Sequence, residues 1–356
     1  MSESLSRIIE MIKPLDEPAM AEAQARQNLL TKPQGSLGRL EELSVQLAGI
    51  QGRPIPQIRH KAIITMAGDH GVVAEKVGNW PQEVTAQMVY NFLNGGAGIN
   101  VIARQVGAKI IVVDMGVATE LGSSPQLLSR KIALGTRNIA RGPAMTREQA
   151  EMAVETGMEI VAAEVAKRLD IVGTGDMGIG NTTASSAIAA VMMGRPVAEI
   201  TGRGTGIDDE QLKHKIRVIE RALGVNHPDP KQPLEVLAKI GGFEIGGLVG
   251  VMLGAAAHRI PVVIDGFISG AAALVATALS SGVKDFLIAG HICAEAHHQW
   301  VLNHLGLKPL LSLDMRLGEG TGAALGIFLA ETSAMVLAEM ATFTGAGVSQ
   351  KDKAGS

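Results

Sequence analysis

The stretch DIVGTGDMGIGNTTASSAIAAVMM, Asp170–Met193, enters a glycine-rich turn from a β-branched run and leaves it as an Ala/Ser-rich helix. Short apolar runs that end in glycine turns suit strands covered on both faces, as in parallel sheets. Four other runs share this form: Ala62–His70 (AIITMAGDH), Ile110–Gly116 (IIVVDMG), Pro261–Gly266 (PVVIDG) and Phe286–His291 (FLIAGH). Helical patterns separate them. Thr146–Arg168 opens with a capping box from Thr146 and Gln149, and Asp208–Leu223 opens with acidic residues that complement a helix N-terminus. This alternation predicts an α/β fold, a doubly wound parallel sheet flanked by helices, with ligands beyond the C-terminal ends of the strands. Asp69, His70, Asp114, Asp176, Asp265 and His291 all fall on that edge.

The first 50 or so residues lack strand signals and read as helices broken at Lys32–Leu37 (KPQGSL); Gly322–Thr344 is helical too. The expected organisation is a small helical domain from residues 1–50 with about 322–345, a large α/β domain over 51–321, and a flexible tail over 346–356. No internal repeat or low-complexity block interrupts it.

Among the 356 residues, 46% are apolar and 43 are Gly, which suits buried strands and glycine-lined loops and argues against disorder. The balance of 32 basic against 35 acidic residues offers no basic stripe for a nucleic acid. The single cysteine, Cys293, cannot form an intrachain disulfide, and residues 1–20 carry Glu and Asp where a signal peptide needs an apolar core. A cytoplasmic location is expected. Ile260–Val283 is apolar enough to weigh as a membrane span, but Asp265, Gly266 and Gly270 fit a buried strand turning into a buried helix.

The Gly173–Thr183 loop has the means to hold a phosphate: Gly178 and Gly180 let backbone amides approach an anion, the following helix adds N–H donors, and Asn181, Thr182 and Thr183 add side chains. A glycine turn with an Asn or Thr cap is the plainer alternative. Gly173, Gly175 and Gly178 also have dinucleotide-fold spacing, with Glu199 near the distance of a ribose-binding acid, which makes an NAD-dependent dehydrogenase the rival reading. A second turn, Gly202–Gly206 (GRGTG) with Gly204 at its centre, precedes the helix bearing Lys213 and Lys215. A lysine there can neutralise a phosphate, although most such lysines are merely solvated. His291, His297 and His298 lack zinc spacing, so no metal site is expected. Adjacent Asp69 and His70 point different ways, which favours a structural role. In Met315–Leu325 (MRLGEGTGAAL), Glu319 sits between Gly318 and Gly320 at the mouth of an apolar helix, where the freed backbone can aim a carboxylate inward; a surface turn is the alternative.

Seven collinear blocks carry a resemblance: KPQGSLGRLEEL (Lys32–Leu43), AGDHGV (Ala67–Val72), PQEVTAQM (Pro81–Met88), GDMGIGNTT (Gly175–Thr183), GGFEI (Gly241–Ile245), VIDGFIS (Val263–Ser269) and MRLGEGTGAAL. Together they resemble the nicotinate-nucleotide dimethylbenzimidazole phosphoribosyltransferase family. The resemblance implies a Rossmann-like large domain, a small helical domain from both termini, a homodimer, and no cofactor. It implies that Glu319 is the general base that deprotonates the benzimidazole as its other ring nitrogen attacks C1′ of the ribose. It places Lys215 at the phosphate-binding lysine and the GDMGIGNTT loop at the nucleotide. Asp176 stands where some members carry Glu, with a supporting role in catalysis. Gln87 and Met88 match the benzimidazole-contacting block, and Asp265 and His291 join the candidate substrate contacts. Cys293 stands where a small hydroxyl residue is more familiar.

Overall fold

The computed structural model describes residues 1–349 apart from Thr205 and Ala296. Two compact units divide the chain: Met1–Lys13 with His60–Ile327, and Pro14–Arg59 with the segment from Phe328 onward.

The larger unit holds six parallel strands: β1 Lys61–Gly68, β2 Lys109–Gly116, β3 Leu127–Ser129, β4 Ile171–Met177, β5 Val262–Ile264 and β6 Leu287–Ala289. Their order is β3-β2-β1-β4-β5-β6, so the chain winds outward from β1 and then returns to its other side at β4. The expected doubly wound sheet is therefore present, with its topological switch between β1 and β4. Register across the switch sets Met66 beside Asp176. Two further strands, β7 His291–Ile292 and β8 Leu311–Ser312, pair separately. The run expected as one strand from Phe286 to His291 breaks at Gly290, where a Cβ would stand 2.6 Å from the Gly322 carbonyl oxygen.

Helices cover the sheet. The capping box at Thr146 forms in both directions, with Gln149 N–H donating to Thr146 Oγ1 at 3.2 Å and Thr146 N–H donating to Gln149 Oε1 at 2.9 Å. Asp208 and Gln211 repeat the arrangement before the helix Asp209–Asn226. Phe243–Ala257 is buried along its whole length and crosses Arg147–Val165 backbone to backbone. A Cβ at Gly157 would stand 2.0 Å from the Gly247 oxygen, and one at Gly250 would stand 1.9 Å from the Val154 oxygen. The apolar stretch weighed as a membrane span resolves into β5 and the buried helix Phe267–Leu279. Among the described residues one helix, Thr321–Glu339, is long and apolar enough to cross a membrane by length and composition, and 56% of its apolar window is buried within the protein.

The first helix, Glu3–Met11, belongs to the larger unit, because Leu5 is fully buried and Ser2 donates to Glu155. In the smaller unit, Ala23, Ala48 and Leu337 form a core, and Arg26 donates to the Leu337 and Ala338 carbonyls. The KPQGSL break is tied by a buried Lys32–Glu41 ion pair at 2.8 Å, with Leu37 N–H donating to the same carboxylate. Residues 350–356 of the expected tail lie outside the described residues.

The glycine crossing generates a stability test. Gly250→Ala forces two backbones apart and should destabilise the protein by about 1–3 kcal/mol, the usual scale of overpacking. Gly224→Ala, on a helix position with open space around it, should be neutral or stabilising. Urea unfolding of both variants checks the contrast.

Candidate active site

At the C-terminal edge of the sheet, Gly318, Glu319 and Gly320 adopt φ values of +80°, +65° and +97°. Glycine takes this region freely, but a residue with a side chain pays roughly 1–3 kcal/mol to stay there. Asp265, fully buried after β5, supplies the restraint. Its Oδ2 accepts from Gly320 N–H at 3.1 Å, and its Oδ1 accepts from Gly322 and Ala323 N–H at 2.7 and 3.1 Å. From β1, Thr65 Oγ1 donates to the Glu319 carbonyl at 3.1 Å. From β4, Gly175 makes room, since a Cβ there would lie 2.3 Å from that same carbonyl oxygen.

The Glu319 side chain is 4% exposed, and its Oε2 accepts from Ile99 N–H at 3.0 Å, in the first turn of the helix Gly98–Val106. Burial pushes its carboxyl above the usual glutamate value; the Ile99 amide restrains the rise and the Asp265 charge adds to it. Asp176, at the end of β4, lies against Gly318, where a Cβ would come 3.5 Å from Oδ2. Asn181 Nδ2 donates to that oxygen at 2.9 Å. Burial, then the charges of Asp265 and Glu244, push Asp176 up to about 8.

The loop after β4 supplies the other half of the site. Gly178 packs so closely on the end of β1 that a Cβ would stand 2.2 Å from the Gly68 oxygen. Gly180, at φ +96°, starts the helix Asn181–Met193 without a side-chain cap. Thr182 Oγ1 accepts from Lys215 Nζ at 2.9 Å, and Nζ also donates to the Gly202 carbonyl at 3.4 Å. Gly204 lies beside both partners, while Thr183 is wholly buried. Lys215 is 1% exposed, and burial brings its ammonium down to about 8 against the pull of Glu295.

A cavity joins these parts. Asp176, Gly178, Asn181, Thr182, Gly204 and His291 line it, with Phe267, Ile268 and Leu317 as apolar wall. Expected residues thus converge, and two of them also make contacts within the protein. Asp265 uses both oxygens on backbone amides, and His291 packs under the Glu319 loop with Nε2 3.5 Å from Asp265 Oδ1. Gln87 is exposed and Met88 half-buried, on the helix Glu83–Leu93 whose Thr85 hydroxyl accepts from Ile179 N–H at 3.1 Å.

The histidines do not gather round one point. His298 Nδ1 accepts from Cys293 N–H at 3.1 Å and is brought down to about 3 by burial, so it stays neutral, while His297 lies against Trp300. Burial pushes the Cys293 thiol up to about 12, which makes it a small apolar wall residue. Among the described residues no group of three or more His, Cys, Asp and Glu is placed to hold a metal ion. Sequence reading assigned no role to Glu244, whose Oε1 lies 2.7 Å from His70 Nε2 in a fully buried pair. Burial alone would lower the imidazole, but Glu244 and Asp69 raise it. The paired glycines of GGFEI were the available signal, because a Cβ at Gly242 would stand 2.5 Å from both partners.

A family profile described as Phosphoribosyltransferase matches residues 12–348. The chain is 58% identical over 346 residues to the nicotinate-nucleotide–dimethylbenzimidazole phosphoribosyltransferase of Desulforudis audaxviator, with 97% of this chain and 98% of that one covered. It is 59% identical over 347 residues to the enzyme of the same name from Roseiflexus sp., with 98% of each covered. The crystal structure of CobT from Thermus thermophilus superposes with a TM-score of 0.91 at 46% identity, covering 94% of this chain and 100% of that one. The chain belongs to the nicotinate-nucleotide–dimethylbenzimidazole phosphoribosyltransferase family.

Membership overturns the dehydrogenase reading, and the geometry explains why the spacing misled. Gly175 and Gly178 are small for the sake of the Glu319 and Gly68 carbonyls, and Glu199 is an exposed partner of Arg195 at 3.2 Å.

Two tests follow from the site. With a folded value of about 8 against roughly 3.9 in the unfolded chain, Asp176 binds a proton in the fold that the unfolded chain has released. Its contribution is complete below about pH 4 and is lost as pH rises through about 8. Asp176→Asn should therefore show a smaller fall in thermal midpoint between those limits than wild type. Asp265→Asn keeps the shape but turns an NH2 toward backbone N–H groups; it should cost about 1–3 kcal/mol in denaturant unfolding and lower turnover through the displaced Glu319. Turnover unchanged in a destabilised Asp265→Asn protein would show that the cap is not needed for any role of the Glu319 loop in turnover.

Proposed function

We propose that this chain transfers the 5-phosphoribosyl group of nicotinate mononucleotide to 5,6-dimethylbenzimidazole, releasing nicotinate and α-ribazole 5′-phosphate for the cobalamin nucleotide loop. The observation that carries the reading is a cavity lined by Asp176 and by Leu317 and Gly318 of the strained, backbone-locked Glu319 turn, and by Asn181, Thr182 and Gly204 at an uncapped helix start where Lys215 donates to Thr182. Relatives of 58–59% identity carry the name of this reaction.

One benzimidazole nitrogen attacks C1′, the C1′–N bond to nicotinate breaks, and the electron pair returns to the pyridine nitrogen with inversion at C1′. The proton on the second benzimidazole nitrogen passes to Glu319, whose raised carboxyl makes it a stronger base than an exposed glutamate. Nicotinate leaves with its ring nitrogen neutral, so the nucleophile is the partner that needs help. Asp176, holding its proton near neutral pH, spares Glu319 a second negative neighbour. The loop Gly178–Thr183, Gly204 and Lys215 take the 5′-phosphate through backbone N–H groups, Thr182 and the ammonium charge. Phe267 and Leu317 offer the apolar surface a benzimidazole needs; the contacts expected from Gln87 and Met88 belong to the same reading. Homodimeric assembly and a cytoplasmic location belong to the same reading.

Incubation with both substrates, with nicotinate followed by chromatography, tests the activity. Glu319→Gln should keep the thermal midpoint close to wild type and lower turnover by roughly 10²-fold or more, the scale of a lost general base. A folded Gln variant with wild-type turnover would defeat the assignment. Lys215→Met should weaken mononucleotide binding and erase its preference for the phosphorylated ligand; unchanged affinity would remove Lys215 from the phosphate site.

A further inference from the structure

Glu295 lies on the segment between β7 and the helix His298–Leu305 and lines the same cavity as Asp176 and Thr182. Its carboxylate rests on the GRGTG turn. A Cβ at Gly202 would stand 1.5 Å from Glu295 Oε2, so the carboxylate lies directly against the Gly202 backbone. Burial raises the Glu295 carboxyl above the usual glutamate value, while the Lys215 ammonium and the backbone of Gly204 and Arg203 favour its charged form. Gly204 is at φ +55°, and a Cβ there would be 3.2 Å from Thr182 Oγ1 and 3.7 Å from Lys215 Nζ. The donors around this point are those of an anion site, and a carboxylate of the chain already sits among them.

We propose that Glu295 fills the anion subsite of the Gly202–Gly204 turn in the free protein and yields it to the 5′-phosphate of the nucleotide, so that only a sufficiently charged ligand gains entry. This rests on the phosphate reading of Lys215 given above. Phosphate carries roughly −1.5 to −2 near pH 7 and three acceptor oxygens, against one charge and two oxygens for the carboxylate. A riboside without phosphate offers nothing to exchange for the lost contacts. Glu295 is only half-buried, and Arg316, whose charge already attracts it, lines the same cavities on the exposed side, which gives the displaced carboxylate a partner. Glu295 acts here on affinity and ligand choice and touches no reacting atom.

A site partly blocked by its own side chain binds more weakly in proportion to the blocked fraction, so opening it should raise apparent affinity by about fivefold or more. Calorimetric titration of the full chain with inorganic phosphate reads this directly, beside KM for nicotinate mononucleotide and the ligand-free thermal midpoint. In Glu295→Gln and Glu295→Ala, phosphate should bind more tightly than in wild type and KM should fall. Folded variants whose phosphate affinity and KM stay the same, or weaken, would overturn the proposal and make Glu295 a tether for the turn. Lys215→Met reads the underlying assignment separately. Retained phosphate affinity in that variant removes the phosphate site and the gate with it, whereas weakened affinity beside an unaltered Glu295→Gln removes the gate alone.

Discussion

Three backbone N–H groups, from Gly320, Gly322 and Ala323, end on the two oxygens of Asp265, and the C-terminal edge of the sheet is arranged around that contact. The carboxylate has no exposed surface, yet it lies at the positive end of the helix Thr321–Glu339, where a buried anion is favoured. In return it holds three successive residues in the left-handed region, one of them not glycine. The strain is local; the restraint comes from β1, β4 and β5 together. Gly175 gives up its side chain so that the Glu319 carbonyl can approach, and Gly322 gives up its own because a Cβ would stand 2.0 Å from the His291 ring.

That packing crowds acids. Asp176, Asp265, Glu244 and Glu319 act on one another within a nearly dry volume, and their mutual repulsion has to be relieved. Two devices do so. His70 pairs with Glu244 at 2.7 Å, a contact that raises its imidazole against the effect of burial, and Asp176 keeps a proton up to about pH 8. Glu319, next to the cavity-lining Leu317 and Gly318 and with its carboxyl raised by burial, fits a group that accepts a proton from a weakly acidic azole.

How much of this was legible depends on the distance over which each feature is decided. The long buried strands β1, β2 and β4 were readable because β-branched runs ending in glycine are local, as were the capping boxes at Thr146 and Asp208. β3, β7 and β8 span only three, two and two residues and leave no pattern to read. Glu319 announced itself through its flanking glycines. Gly175 and Gly178 did so too, but spacing cannot tell whether a missing side chain admits a cofactor or another backbone; here it admits the Glu319 and Gly68 carbonyls. Glu295 was silent, since its partner lies on a separate turn, and Glu244 was marked only by the paired glycines before it, its partner His70 lying 174 residues away.

The site ends in two carboxylates that play the same part with different permanence. Asp265 gathers three amides, is fully buried, and closes a loop whose backbone is strained; pulling it away strands donors in a dry interior, at about 1–3 kcal/mol each. Glu295 lies against the Gly202–Gly204 turn at the edge of a cavity, where it is only half-buried and water can take its place. The asymmetry in burial decides which anion is architecture and which is exchangeable. On the function and gate proposed above, a nucleotide spanning the cavity would meet a fixed end, where geometry sets proton transfer, and a replaceable end, where charge alone has to be matched.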